Sequence, residues 1–363
     1  MKRRTFLSLT SIAGMLGLPS WATATSTGTS DPGKSVEGLT NPPKPMVESA
    51  HHRQANISVI GVGGAGCYTV NHMIQGHVRG VWTFCLDTDP ETVARSRSSI
   101  RYCMGHKRGP SLGAGGKPSI GRAHAIGDSF PIGALLMGAQ TQMVFIVAGM
   151  GGGTGTGAAP VVAAVARKMG ILTVAVVTMP FAFEGRRVTT AERGLSELAS
   201  NVDSLIVVSN ERLMDALGDQ ISVLDAFRAG DEVLKNTVSG IAELLNTPGV
   251  IHADFSDVRK MLGNMGRGMV GCGTASGRNR ASIAAEKALI SQSCQDIELS
   301  DARSVVVNIT AGRQLGMWEV HDALRLIRQH VFPETIITFG TVHDDTMEDR
   351  LRVTLVAMSP RTT

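Results

Sequence analysis

The sequence predicts an α/β protein with a Rossmann-like, parallel-sheet nucleotide-binding domain, a long helix after it and a second domain beyond. Three observations predict this. β-Branched runs alternate with helical periodicity from residue 56 onward, two of the strand-to-helix junctions are rich in glycine, and an uninterrupted helical pattern fills 222–246.

With 363 residues, 43% hydrophobic and 18% charged, the chain can bury a large core and is long enough for two domains. The formal charge is +4, but Lys2, Arg3 and Arg4 supply three of those charges. The rest of the chain is close to neutral and offers no nucleic-acid surface. The five cysteines, Cys67, Cys85, Cys103, Cys272 and Cys294, are odd in number and scattered, with no Cys-x-x-Cys pair. That spacing speaks against a zinc site or a disulfide framework and suits a reducing compartment.

The N-terminus points the other way. Lys2-Arg3-Arg4-Thr5-Phe6-Leu7, an apolar stretch and Ala22-Thr23-Ala24 make residues 1–24 look like a twin-arginine export signal with a small-residue cleavage site. The stretch is too short and too interrupted for a membrane span. A mis-assigned start followed by an arm is the alternative. Residues 25–55, rich in Ser, Thr, Gly and Pro, read as a flexible linker.

The first βαβ unit begins with a strand over 56–60, runs through Gly61-Val62-Gly63-Gly64-Ala65-Gly66 and continues as a helix over 68–75. A second strand over 81–86 ends at Asp87. Gly-x-Gly-x-x-Gly with an acid roughly 20 positions later is also the dinucleotide fingerprint, so this unit alone admits an NAD-dependent oxidoreductase. Glycines let backbone N–H groups approach a phosphate at a helix N-terminus in either case.

The second glycine loop separates the two readings. A buried-type strand over 143–148 enters Gly149-Met150-Gly151-Gly152-Gly153-Thr154-Gly155-Thr156-Gly157, followed by a helix over 158–168, with Gly170 as its cap, and a strand over 171–177. A turn needs one or two glycines; this loop holds six, with two threonines whose hydroxyls can reach phosphate or Mg²⁺. A dehydrogenase has no use for such a second cradle. The Gly-x-x-x-x-Gly-Lys-Ser/Thr pattern of P-loop enzymes does not occur. Farther on, Ser222 and Asp225 form a capping-box pattern ahead of Leu224, Phe227, Leu234, Val238, Ile241 and Leu245, which recur at helical spacing.

The segment Ala148-Gly-Met-Gly-Gly-Gly-Thr-Gly-Thr-Gly-Ala-Ala-Pro160 resembles the signature loop of the tubulin/FtsZ GTPase family. The resemblance continues through Gly170-Ile-Leu-Thr-Val-Ala-Val-Val-Thr178, Phe183-Glu-Gly-Arg-Arg187, Asp203-Ser-Leu-Ile-Val-Val-Ser-Asn210, Asp254-Phe-Ser-Asp-Val258, Val305-Val-Val-Asn-Ile-Thr-Ala-Gly312 and Leu351-Arg-Val-Thr-Leu-Val-Ala357. It spans roughly 57–358 in unbroken order. It implies a GTP-binding domain over 56–221, a central helix over 222–246, a C-terminal α+β domain over 247–363, and head-to-tail polymers whose subunit contacts complete the GTPase site.

The same resemblance implies the site residues. GTP or GDP, with Mg²⁺ held mainly through the phosphates, would meet Gly63, Gly64, Ala65, Gly66, Cys67 and Tyr68 on the first loop and Asp87 after the second strand. Ala114 and Gly115, on a third glycine loop beginning at Leu112, would approach the terminal phosphate; a plain connector is the other reading. Gly151, Gly152, Gly153, Thr154, Gly155, Thr156 and Gly157 would cradle phosphates, and no side-chain metal cluster is implied. Glu184 matches a residue that faces the ribose, with Arg187 and Val188 beside it; a solvated surface acid is the alternative for Glu184. Asn210, otherwise a turn residue, and Phe227, otherwise a core aromatic, match positions near the purine. Asp231 and Glu232 straddle the position whose carboxylate accepts from guanine N1 and N2.

Asp254 and Asp257 stand at i and i+3, an ordinary helix start with Asp254 as N-cap and Asp257 at N3. By resemblance they are also the catalytic acids that enter the next subunit's site. Four positions depart from the family pattern: Tyr68, Asp87, Val188 and His252. Retention of both aspartates favours an active, filament-forming GTPase; Val188 and His252 favour a structural or regulatory subunit that hydrolyses slowly or not at all. Expected partners are copies of this chain or related subunits, and no nucleic acid. The chain ends at Thr363 without the linker and terminal peptide by which the family docks membrane adaptors, so no such docking is expected. The family implies a cytoplasmic location and residues 1–24 imply export or membrane attachment; the sequence leaves both open.

Overall fold

The computed structural model describes residues 55–106, 113–217, 222–247, 251, 254–263, 265–291 and 299–360. The expected signal, nearly all of the linker, and the positions Leu112 and His252 lie outside the described residues.

One ten-stranded sheet runs through the molecule in the order β3-β2-β1-β4-β5-β6-β7-β10-β8-β9. Its first half is parallel: β1 (Ile57–Val62), β2 (Val81–Asp87), β3 (Ile100–Cys103), β4 (Met143–Gly149), β5 (Leu172–Met179) and β6 (Ser204–Ser209). Strands β1, β4, β5 and β6 are Val/Ile-rich and nearly continuously buried because both faces are covered. A parallel join of two residue pairs, Leu205 with Arg267 and Ile206 with Gly268, carries the sheet into β7 (Met265–Ser276). There β10 (Arg350–Pro360) lies antiparallel between β7 and β8 (Ser304–Ala311), and β9 (Ile336–His343) closes the edge parallel to β8.

The order of the parallel half reverses between β1 and β4, which makes a crevice beyond their C-terminal ends. Two helices start there, α1 (Gly63–Gln75) and α5 (Gly153–Lys168), with α2 (Pro90–Arg95), α3 (Pro118–Gly127) and α4 (Ser129–Gly138) between them in the chain. Both α1 and α5 begin five residues earlier than the sequence suggests, inside the glycine loop, because tertiary contact outweighs the poor helix propensity of glycine. A Cβ on Gly155 would stand 2.6 Å from Gly149 O, and one on Gly66 would collide with Val147 O. The glycines therefore let each helix begin flush against the sheet. Helix α6 (Arg186–Asn201) precedes β6, and Asn210, which on its own reads as a turn residue, opens α7 (Asn210–Leu217).

The long helix is α8 (Val223–Asn246), with Ser222 as its N-cap accepting from Asp225 N at 3.1 Å. Its buried stripe of Leu234, Val238 and Ile241 joins the core that also holds α1 and the C-terminal strands. Polar clamps fix it at both levels. Glu243 meets Arg352 of β10 at 2.7 Å, and Asn246 Nδ2 donates to Gly80 O at 2.7 Å. Among the described residues no helix is long and apolar enough to cross a membrane.

Because Ile241 is 1% exposed against strands from both halves, Ile241→Ala should lower stability by about 2–4 kcal/mol. A urea titration should show the midpoint falling with the slope unchanged; an unchanged midpoint would mean that α8 does not anchor the core.

Candidate functional site

The N-termini of α1 and α5 meet in the crevice. A Cβ on Gly63 would stand 2.7 Å from Gly155 N, so the two helices touch through bare backbone, and Gly63 itself sits at φ +75°, where a side chain would be strained. Neither helix has an acid in its first turn or a side-chain cap. Two sets of orphan N–H groups and two positive dipole ends therefore face one hollow of about 310 Å³. Gly63, Gly64, Ala65, Asp87, Ala114, Gly115, Gly152, Gly153, Thr154, Gly155 and Arg187 line it. Such an arrangement has the geometry and polarity to cradle several phosphates.

Thr156 and Thr154 do different work there. Thr156 Oγ1 accepts from Gly151 N at 2.8 Å and so pins the loop, while Gly151 takes φ +98°. Thr154 Oγ1 lies 2.6 Å from Thr88 Oγ1 at the wall of the hollow. Asp87 is 3% exposed; burial pushes its carboxyl above the usual range, against hydrogen bonds from the Thr88 and Asp89 amides.

A second hollow of about 380 Å³ adjoins the first and shares Ala65, Gly149 and Arg187 with it. Tyr68, Glu184, Asn210, Phe227 and Asp231 line it. Glu184 is held by Phe181 N at 2.9 Å and Arg187 Nη1 at 2.5 Å. Phe227 rests edge-on against Phe181, with ring centroids 5.3 Å apart, and remains half exposed, as does Tyr68. Asp231 accepts from Thr69 Oγ1 at 2.5 Å, and burial raises its pKa. Of the two carboxylates the sequence left open, only Asp231 faces this hollow. Glu232 turns to Lys235 at 2.7 Å.

Gly66, Cys67, Gly151, Thr156, Gly157, Val188 and Glu232 line neither hollow. Thr69, Thr178 and Arg228 do line the second without having been singled out from the sequence. Thr69 was accessible to sequence reasoning, since it stands one helical turn beyond Ala65.

Asp254 and Asp257 lie elsewhere. Asp254 caps α9 (Phe255–Leu262), accepting from Ser256 N, and Asp257 at N3 sits 3.6 Å from Lys260. Both are exposed. Helix α9 docks where the parallel strands begin: Ser204 at the start of β6 donates to Leu262 O at 2.5 Å, and Arg259 donates to Gly170 O at the far end of α5 at 2.8 Å. From Asp231 to Asn246, α8 alone spans about 22 Å at ~1.5 Å per residue. The two aspartates and the cradle thus occupy opposite ends of the sheet.

Residues 56–218 match the Tubulin/FtsZ family, GTPase domain, and residues 266–359 match the FtsZ family, C-terminal domain. A cell division protein FtsZ of Neisseria meningitidis serogroup A is 45% identical, with 84% of this chain and 78% of that protein covered. One from Pseudomonas putida is 46% identical, covering 83% and 75%. The solved structure of an empty FtsZ dimer from M. jannaschii is 35% identical and superposes with a TM-score of 0.80, covering 85% of this chain and 89% of that one.

A Cβ on Gly152 would meet nothing within 4 Å, whereas one on Gly153 would strike Lys117 N at 2.8 Å. Gly152→Val therefore points methyls into the phosphate hollow without disturbing packing. It should weaken triphosphate binding at least tenfold in calorimetry at unchanged melting temperature; full affinity would remove the phosphate assignment. An ionised Asp87 repels phosphate, so without divalent cations Asp87→Asn should bind nucleotide about tenfold more tightly. As pH falls through the raised Asp87 pKa the carboxyl neutralises and wild type should approach the variant. Equal affinities at neutral pH would mean that Asp87 does not face the phosphates.

Proposed function

The chain belongs to the tubulin/FtsZ GTPase family, and on that premise we propose that it binds GTP across the two adjoining hollows, assembles head to tail with copies of itself, and hydrolyses GTP at the contact between subunits, in cell division or a related cytoskeletal role. The observation that carries this reading is the separation of its parts: two glycine-led helix N-termini converge at one end of the sheet and two exposed aspartates stand at the other. The similar M. jannaschii protein, described as a dimer, supports self-association.

In this reading the triphosphate takes the amides of the 63–65 and 152–155 turns, with Ala114 and Gly115 closing over its end. Mg²⁺ would arrive on the phosphates. Asp87, Asp89 and the Thr154 hydroxyl are hard oxygen donors suited to it, and among the described residues no group of three or more His, Cys, Asp or Glu could hold a metal unaided. The purine lies against Phe227, and its N1 and N2 donors meet Asp231, whose desolvated carboxylate gains most from a partner that donates twice. Adenine offers no such pair, so the site selects guanine. Tyr68 adds a second aromatic surface at the mouth, Asn210 stands beside the base, and Glu184, steadied by Arg187, faces the ribose.

Phosphoryl transfer asks the protein chiefly for positioning and charge stabilisation. Asp254 and Asp257 of a neighbouring subunit supply two carboxylates that orient the attacking water, and one can accept its proton. A second reading, a subunit that binds GTP but turns it over slowly, is favoured by the buried Asp87 beside the phosphates, which opposes the charge that builds up on them.

Carboxylates that must come from a neighbour make turnover depend on assembly. Phosphate release per subunit should rise steeply with protein concentration and then level off. Asp254→Ala should bind GTP and pellet with it, yet hydrolyse at least tenfold more slowly, and mixed with wild type it should depress the shared rate. A rate per subunit independent of concentration would show that the site is complete within one chain.

A further inference from the structure

Two of the cysteines that look scattered along the sequence meet in the fold. Cys85 lies in the middle of β2, paired in register with Gly61 of β1. Cys67 lies on the first turns of α1, its sulfur 3.4 Å from Gly61 O. Gly61 is what lets them meet, because a Cβ there would stand 2.8 Å from Cys67 N and lift α1 off the sheet. With that space open, the two sulfurs lie 2.6 Å apart, each residue at most 1% exposed. Cys103 and Cys272 sit apart, against Thr88 O and Thr354 respectively.

We propose that Cys67 and Cys85 are a redox modification site: a small peroxide oxidises them to an intramolecular disulfide that clips the first turns of α1 to β2 beneath the phosphate cradle. Burial selects the oxidant, since a protein disulfide or glutathione cannot approach sulfurs this deep, whereas a molecule little larger than water reaches them through local opening. The sulfur of one cysteine attacks one peroxide oxygen as it loses its proton, the O–O bond breaks, and the departing hydroxide takes that proton to leave as water, giving a sulfenic acid. The sulfur of the facing cysteine, 2.6 Å away, then attacks the sulfenic sulfur, the S–O bond breaks, and the hydroxyl leaves with the second thiol's proton as a second water. Two thiols lose two electrons and two protons, and the peroxide is reduced to two waters.

The bond closes a short loop between the helix that carries the first glycine turn and the strand that ends at Asp87, so it constrains the unfolded chain and holds the cradle together when it is empty. Only the clause about the cradle rests on the nucleotide reading; the crosslink does not. The test treats the full-length, nucleotide-free protein with hydrogen peroxide, followed by peptide mapping without reduction and a thermal melt. Expected is a peptide pair joining Cys67 to Cys85, lighter by two hydrogens, with a melting temperature raised by on the order of 5 °C. Both changes should reverse with a small phosphine reductant, and both should be missing in Cys85→Ala treated alongside. Recovery of the two as free thiols or sulfinic acids, a crosslink to another cysteine, or a melting temperature that does not rise would overturn the proposal. Mapping of the wild type decides the matter even if the variant folds poorly.

Discussion

The close approach of two bare helix N-termini at the reversal of the sheet is the constraint on which the rest of the structure depends. Gly63 meets Gly155 N at a distance that admits no Cβ, and Gly155 is pressed in the same way against Gly149 O. Any side chain at these positions would part α1 from α5 and split the ring of amides facing the phosphate hollow. The cost is a pair of helices that begin with their weakest formers. Packing offsets it: α5 is buried along nearly its whole length, and α1 places Val70 and Met73 in the core. Dipoles that oppose like charge when left empty become an asset once an anion lies between them.

The same geometry explains why the second hollow sits where it does. Helix α8 crosses the mouth of the crevice because Gly230 lets it come close to α7, where a Cβ would stand 3.3 Å from Asn210 Oδ1. That approach brings Phe227 and Asp231 to the edge of the cradle, while Leu234, Val238 and Ile241 on the same helix continue into the core. One helix thus lines the second hollow at its start and carries the C-terminal half at its end, through Glu243 and Arg352.

Much of this was legible in the sequence because it depends on local chemistry. Strand alternation, the Ser222 cap and the glycine loops each leave a signature within a dozen residues, and the observed β1, β2, β4, β5 and α8 fall within about two residues of their expected bounds. The starts of α1 and α5 were not legible, since glycine's propensity argues against helix and only close packing reverses it: Gly66 against Val147 O, from a strand far along the chain, and Gly155 against Gly149 O, at the end of the strand just before it. Asp231 could not be told from Glu232 by spacing; the helix phase against α1 decides it, turning Asp231 to Thr69 and Glu232 to Lys235. The meeting of Cys67 with Cys85 escaped for the same reason. Their encounter depends on a glycine in a third element, and no pairwise spacing records that.

In the proposed function the placement of Asp254 and Asp257 ties chemistry to assembly in a way a compact active site would not. A carboxylate beside its own subunit's phosphates would repel them whether or not a neighbour was present. Exposed acids at the opposite end of the sheet from the hollow would leave the isolated subunit free to hold its triphosphate, and would join it only across a head-to-tail contact. Binding and hydrolysis would then fall on different states of the protein, the single subunit retaining the ligand and the filament consuming it. The rigidity of the connection makes this workable, because α8 and the shared sheet fix the distance between the two ends. A flexible joint between the halves would let the acids wander, and a loss of about 1 Å in their aim is enough to lower a rate by orders of magnitude.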